Sequence, residues 1–357
     1  MTVHDWKPGS DRWLSGVMEA VGVSRLAFIT GLDRMGVQVA CAIRPGGHVL
    51  QVSNGKGLSP RDAAYSAVLE AAELYVSENP SATVWGTSAQ VEASTRTPTL
   101  VAQEVAGAWV EGTELLSGTA VMVPAGEVFC PPADGPLLGP AGRRWTSNGL
   151  GAGTVPDRAL LHAVQEVLER NQLALALPQG WTEQFVAEAG VAERWLQRHA
   201  PRVHALVLQL RVAGFDPYLF QIRSGEQDPG IPVAAALLFD REEGPVPMAA
   251  GYACRLEPEA ALAAALLEAA QSRLTDIHGA REDLSSMELA DVAALGQMCR
   301  AHPGGSPNWK AVPEKRLLSR LRSHGLHTLV SVELEAPVPG LFIRKVVSPQ
   351  LVVSELL

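Results

Sequence analysis

Residues 53–78 read SNGKGLSPRDAAYSAVLEAAELYVSE, a glycine–lysine turn running into an apolar helix. Pro60 occupies a first-turn position, where its missing N–H removes no helical hydrogen bond. The spacing predicts a helix over about 60–75. Ser66, Glu70 and Glu73 follow i, i+4, i+7 spacing, which places them on one face. At ~100° per residue, Asp62, Ser66, Glu70, Glu73 and Ser77 fall within an arc of about 80°. The other helical positions are mostly Ala, Val, Leu and Tyr. A surface helix carries a wider polar face than this. The narrow stripe predicts a helix buried on most sides that turns its acids into a cavity.

The same format recurs twice. Glu166, Glu169 and Arg170 stand in EVLER, on a helix expected over about 157–176, and Glu268, Gln271 and Arg273 stand in EAAQSR, over about 258–275. In the last helix Glu268, Gln271, Ser272 and Thr275 cluster on one side of an Ala/Leu cylinder, and Arg273 points elsewhere. In the middle helix His162, Glu166, Glu169 and Arg170 share a broad arc with Arg158 and Gln165, which a solvent-facing helix shows equally. Taken singly, each motif is most simply a solvated face. Three that converge form a hard-oxygen cluster suited to Mg²⁺, which prefers a few protein oxygens completed by phosphate and water. Without cations the carboxylates repel one another. Lys56, Arg170 and Gln271 then supply donors for phosphate oxygens.

Composition sets the class. The 357 residues are 47% hydrophobic and 19% charged, which reads as globular. A net charge of −9 argues against a general nucleic-acid binder but not against a metal–nucleotide ligand. The start, MTVHDWKPGSDRWL, lacks the apolar core of a signal peptide, and the most apolar stretch, 260–270, is too short to span a bilayer. No membrane association and a cytoplasmic location are expected. Cys41, Cys130, Cys254 and Cys299 are too scattered for a zinc site or a disulfide framework.

Along the chain, LAFITG, VQVACAIRP and HVLQVS read as strands, as do VHALVLQLR, YLFQIRS, IPVAAALLF, LHTLVSVEL and LFIRKVVS. Residues 77–99 and the stretch CPPADGPLLGPAGRR read as irregular. The tail adds two further helices. With no low-complexity tract marking a boundary, one intertwined α/β domain with mixed sheets is expected over 1–357. Two glycine-rich stretches imitate nucleotide loops. GLGAGT has the wrong third-glycine spacing and no evident preceding strand for a dinucleotide fingerprint, and SNGKGLS lacks Walker spacing. No nucleophile elbow or His-Glu-x-x-His is present, and His162 is more often a packed or surface histidine than a ligand.

Together, GLDRMGVQVACAIRP, VSNGKGLSPRDAAYSAVLEAAE, SNGLGAGTVPDRALLHAVQEVLERNQ, GIPVAAALL and EAAQSRLTDIHGAREDL resemble the YcaO superfamily of ATP-dependent amide-activating enzymes, in the family's order over roughly residues 25–285, with 286–357 completing the fold. The resemblance implies ATP and Mg²⁺ as cofactors. It maps the family's Ser-x-x-x-Glu-x-x-Glu motif onto Ser66, Glu70 and Glu73, Glu-x-x-Glu-Arg onto Glu166, Glu169 and Arg170, and Glu-x-x-Gln onto Glu268 and Gln271. Glu70, Glu73, Glu166 and Glu169 are thereby implied as metal ligands. Lys56, Ser66, Asn148, Thr154, Arg158, Arg170, Glu268, Gln271 and Arg273 are implied on the nucleotide side. The general base stays unassigned.

Two positions depart from the family pattern. Thr154 stands where an Asn is usual and Arg158 where a Glu is usual, placing Arg158 to meet a phosphate directly or to abolish turnover. The end, LVVSELL, lacks the Pro-rich C-terminus of many azoline-forming members. That feature, with the style of EAAQSRLT and GAREDL, resembles stand-alone or TfuA-associated members. The resemblance implies attack of a nucleophile on a peptide amide carbon, phosphorylation of the amide oxygen by ATP, and loss of phosphate. The expected product is a backbone thioamide made on a precursor peptide with a TfuA-like partner, by a homodimer. Azoline or amidine formation, or a non-catalytic subunit that binds peptide or partner, are the alternatives.

Overall fold

The computed structural model describes residues 8–81, 83–140, 143–225, 228–242, 244–279 and 289–353. The first seven residues, GAREDL beyond Gly279, and the chain end after residue 353 lie outside the described residues. The fold is α/β, built from three antiparallel sheets. The first joins β1 (Arg25–Phe28), β2 (Gln38–Ile43) and β3 (Val52–Gly57) in that order. The second has the order β4-β5-β11-β12-β7, with β6 paired to β5. Its strands are β4 (Val84–Gly86), β5 (Gly107–Glu114), β6 (Ala120–Pro124), β7 (Leu150–Gly153), β11 (Val330–Leu334) and β12 (Phe342–Val347). The third has the order β10-β9-β8, from β8 (Phe215–Ile222), β9 (Val233–Asp240) and β10 (Met248–Cys254).

The helices are α1 (Arg12–Ala20), α2 (Pro60–Glu78), α3 (Ser88–Thr95), α4 (Ala125–Val128), α5 (Pro156–Ala176) and α6 (Glu183–Ala189). They continue with α7 (Glu193–His199), α8 (Pro201–Val212), α9 (Pro258–His278), α10 (Leu289–Ala301) and α11 (Leu317–Ser323). Three of them are long, and each follows a strand at the rim of its sheet: β3 leads into α2, β7 into α5 and β10 into α9. Each helix packs on its own strand and also touches the next one, α2 on β7, α5 on β10 and α9 on β3.

Alternation along strands separates the cores. Ala40 and Ala42 of β2 enter one cluster, and Val39 and Cys41 enter another. In β9, Ala234, Ala236 and Leu238 face one core while Val233, Ala235, Leu237 and Phe239 face a second. A strand buried on both faces reads as an unbroken apolar run, as VAAALLF does.

The fold corrects several expectations. SNGKG is part of the strand β3, not a turn, and the second glycine-rich stretch turns at Asn148–Gly149 and then runs as β7. Glycine is required there by the helix above. A Cβ on Gly55 would overlap Ala63 O and Ala67 N of α2, and one on Gly151 would overlap Ala159 O and Ala163 N of α5. Such contact suppresses the β-branched signature by which strands are recognised. VHALVLQLR lies in helix α8, whose short apolar run carries no decisive period. Residues 77–99 contain the end of α2, β4 and α3, the last opened by a Thr87/Gln90 capping box. HVLQ is not a strand, whereas MAAGYAC is β10.

Candidate functional site

The three strand–helix units share one register. Pro60, Pro156 and Pro258 open the long helices; Glu70, Glu166 and Glu268 follow ten residues later, and Glu73, Glu169 and Gln271 three residues after those. The side chains dock on the rim strands. Glu70 Oε2 accepts from Asn54 N at 3.0 Å, and Glu166 Oε2 from Gly149 N at 3.2 Å, each beside its own helix's strand. The second position crosses to the next unit. Glu73 Oε1 accepts from Ala152 N at 2.6 Å, and Glu169 Oε2 from Cys254 N at 3.0 Å. Gln271 closes the ring, donating from Nε2 to Asn54 O at 3.3 Å. Rim strands offer unpaired backbone groups, and here carboxylates and an amide satisfy them.

Electrostatics distinguish the three junctions. Burial, then the charges of Glu166 and Glu70, pushes Glu73 well above the ordinary carboxylate range. Burial raises Glu166 to about 7 against the pull of Arg170 and Lys345. Burial and Glu268 raise Glu169 to about 7, with Arg170 opposing. Burial would also raise Glu268, but Lys56, with its Nζ 2.7 Å from Oε2, together with Arg170 and Arg255 brings this carboxyl below its usual value. Desolvation disfavours the charge on Arg170; Glu169, Glu166 and Glu268 more than restore it. Its Nε lies 3.8 Å from Glu169 Oε1.

Glu70, Glu73, Glu166, Glu169, Glu268, Gln271, Lys56 and Arg170 are therefore brought together. Ser66 is half-buried one turn before Glu70. The ends of the stripe do other work: Asp62 is bonded by Ser59 at the helix start, and buried Ser77 donates to Leu74 O. Asn148 lies beside the ring with a buried Oδ1 that has no partner among the described residues.

Three residues expected near nucleotide do not join the ring. Arg273 is 1% exposed, and its guanidinium is held by Asp33, Asp240 and Val246 O beneath Phe215, so it organises the core under α9. Thr154 is exposed on the β7–α5 connection. The Arg158 side chain is 70% exposed and reaches Glu314 at 4.0 Å. It lines a cavity of about 480 Å³ with His162, Gln165, Arg255 and Glu257, at the outer end of the helix that carries Glu166.

Two residues without a sequence motif also belong to this region. Lys345 of β12 is buried, and its Nζ donates to Thr146 O and Asn148 O at 2.6 Å each. Desolvation lowers it to about 8, with Glu166, Glu127 and Glu73 opposing. Glu127 of α4, buried behind Lys345, is raised by burial against Arg143 and Lys345. Strand alternation puts Lys345 on the face of Ile343, opposite Arg344, but by itself does not say which face is buried.

The family model described as YcaO cyclodehydratase, ATP- and Mg²⁺-binding, matches residues 54–352. The chain belongs to the YcaO family. An uncharacterized protein of Mycobacterium tuberculosis (strain H37Rv) is 34% identical over 288 residues, covering 77% of this chain and 63% of that protein. The chain thus spans less than two thirds of that relative. An uncharacterized protein of Rhizobium leguminosarum bv. trifolii, named for its place in the tfuA 3′ region, is 27% identical over 93% of this chain and 84% of its own. The solved YcaO of Methanopyrus kandleri, bound with AMPPCP and Mg²⁺, superposes with a TM-score of 0.72 over 96% of this chain and 90% of its own, at 22% identity. That likeness establishes the shared YcaO fold.

ATP and Mg²⁺ are the ligands of this family, and the residues present fit them. Four carboxylates each commit one oxygen to a backbone N–H, so their orientation is set before any ion binds. Among the described residues no three His, Cys, Asp or Glu side chains gather tightly enough to hold an ion by themselves. Mg²⁺ in this ring would draw the rest of its shell from phosphate and water, the coordination it prefers.

Proposed function

We propose that this YcaO protein activates a backbone amide of a ribosomally made precursor peptide, with thioamide formation beside a TfuA-like partner as its reaction. The observation that carries this reading is the interlaced ring. Glu70, Glu73, Glu166 and Glu169 would hold Mg²⁺, while Lys56, Arg170 and Gln271 would face the phosphates and the Asn148 Oδ1, an acceptor, would face the bound cation or its water on the nucleotide side. Bound Mg²⁺–ATP would supply phosphoryl transfer to the amide oxygen, which converts a poor leaving group into phosphate. The ring's part is positional: carboxylates fixed on strand backbones cannot swing as charge develops, and preorganisation of this kind is what lowers such barriers. Sulfide as nucleophile replaces the amide oxygen with sulfur. The tfuA-region relative and the EAAQSRLT segment favour this product over azoline or amidine. We further read the chain as one domain, homodimeric and cytoplasmic; no helix among the described residues is long and apolar enough to cross a membrane.

The exposure of Thr154 and the outward pairing of Arg158 support a second reading, a non-catalytic subunit that binds peptide or partner. Purified protein, incubated with the precursor peptide and the TfuA-like protein encoded near it, tests both. Mg²⁺-dependent ADP release and the mass change of oxygen-to-sulfur exchange, both lost in Glu166→Ala, support the enzyme. No nucleotide binding with all components present would sink it.

A further inference from the structure

Each junction of the ring has its own cation. Lys56 serves Glu268, Arg170 stands beside Glu169 and also faces Glu166, and Lys345 sits at the backbone segment where Glu73 and Glu166 dock. Lys56 and Arg170 come from the motif segments, whereas Lys345 comes from β12, far along the chain. Its side chain is 2% exposed and packs over Trp145, with Nζ 5.5 Å from the ring centre. The two carbonyls it binds, Thr146 and Asn148, precede Gly149, whose N–H holds Glu166. Lys345 also pairs across the sheet with Leu150, two residues before the Ala152 N–H that holds Glu73. The residue therefore grips the backbone segment on which two acids from two different helices dock.

Gripping two carbonyls does not require a charge to be buried. A buried ammonium is stabilising only where carboxyl groups face it, and Glu166, Glu127 and Glu73 are the carboxyls on its side of the junction. We propose that Lys345 is a positioning residue, the resident cation of the α2–β7 junction, which keeps Glu73 and Glu166 in register until a divalent cation takes over their charge. This deepens the reading of the ring as a Mg²⁺–nucleotide site and rests on it.

The test is thermal unfolding of the full chain in EDTA and in Mg²⁺ with AMPPCP, for wild type, Lys345→Met and Lys345→Arg. In EDTA, Lys345→Met is expected to melt about 5–10 °C below wild type, with Lys345→Arg within about 2 °C of it. Mg²⁺ with AMPPCP should recover more than half of the Met deficit, because the added cation replaces the missing one. A deficit equal in both conditions identifies a plain structural staple and overturns the proposal, as does a Met variant that melts like wild type. If Lys345→Met does not fold, the double variant Lys345→Met/Glu73→Gln removes the facing charge and should fold. Its failure to fold also overturns the proposal. If Mg²⁺ with AMPPCP shifts no protein, wild type included, the nucleotide reading fails, and the double variant alone decides the role of Lys345.

Discussion

The first two strand–helix units and the third share one register yet carry their charge differently. In α2 and α5 both docking positions are Glu, and burial together with neighbouring acids leaves Glu73, Glu166 and Glu169 raised. In α9 the second position is Gln271, and Lys56 already neutralises the first, Glu268. Like charges brought together in a low-dielectric cleft require counter-ions. On the proposed reading the first two units would receive a cation from outside, whereas the third already carries a close ion pair, Lys56–Glu268.

The largest effect should come from breaking the acidic side. Glu166→Ala is expected to lower Mg²⁺-dependent nucleotide turnover by about 10²-fold or more, measured as ADP release, while Gln271→Ala costs about tenfold at most. Equal losses at the two positions would erase the distinction between the units. A comparably severe loss is structural. Gly55→Val places side-chain atoms into the backbone of α2 and should destabilise by about 3 kcal/mol or more, read by denaturant unfolding.

The pH response sharpens the same contrast. Glu166 and Glu169 rise from an ordinary 4.5 to about 7 on folding. The folded state therefore binds more protons than the unfolded one between those values. Their stabilising contribution is complete below about 4.5 and is lost as pH rises through about 7. Without metal, melting should fall by about 5 °C across that window, and Glu166→Gln should flatten the fall. A flat wild-type profile would contradict the raised carboxyls.

Lys56→Met removes the neutralising cation of the third unit and should make it resemble the others. The Mg²⁺ concentration needed for half-maximal nucleotide binding is expected to change about three- to tenfold, by calorimetry. The smallest effect belongs to Arg158→Ala. That side chain is largely solvated, and its partner stands at 4.0 Å, so stability should change by about 0.5 kcal/mol or less.

Much of the site was legible before the fold. The stripe Ser66-Glu70-Glu73 required only helical period, and the recurrence in EVLER and EAAQSR required only comparison along the chain. The ambiguity of the α5 face was resolved by neighbours: Glu169 docks on Cys254 N, a partner from a strand whose glycine and alanines hid it from strand propensity. Arg273 shows the opposite limit. Its motif implied nucleotide, but side-chain direction on α9 sends it to Asp33 and Asp240. Lys345 and Glu127 carried no motif, because a single charged residue in a strand or short helix says nothing about which face is buried.

By itself, then, the sequence determined the three helices, their acid spacing and the YcaO family, because periodicity and motif are local and survive in one dimension. Tertiary structure alone decided which strand each acid docks on, which unit is already neutralised, and that a lysine from β12 grips the backbone beside the ring. Those outcomes depend on distances between segments far apart in the chain and on desolvation, which only the packed molecule imposes.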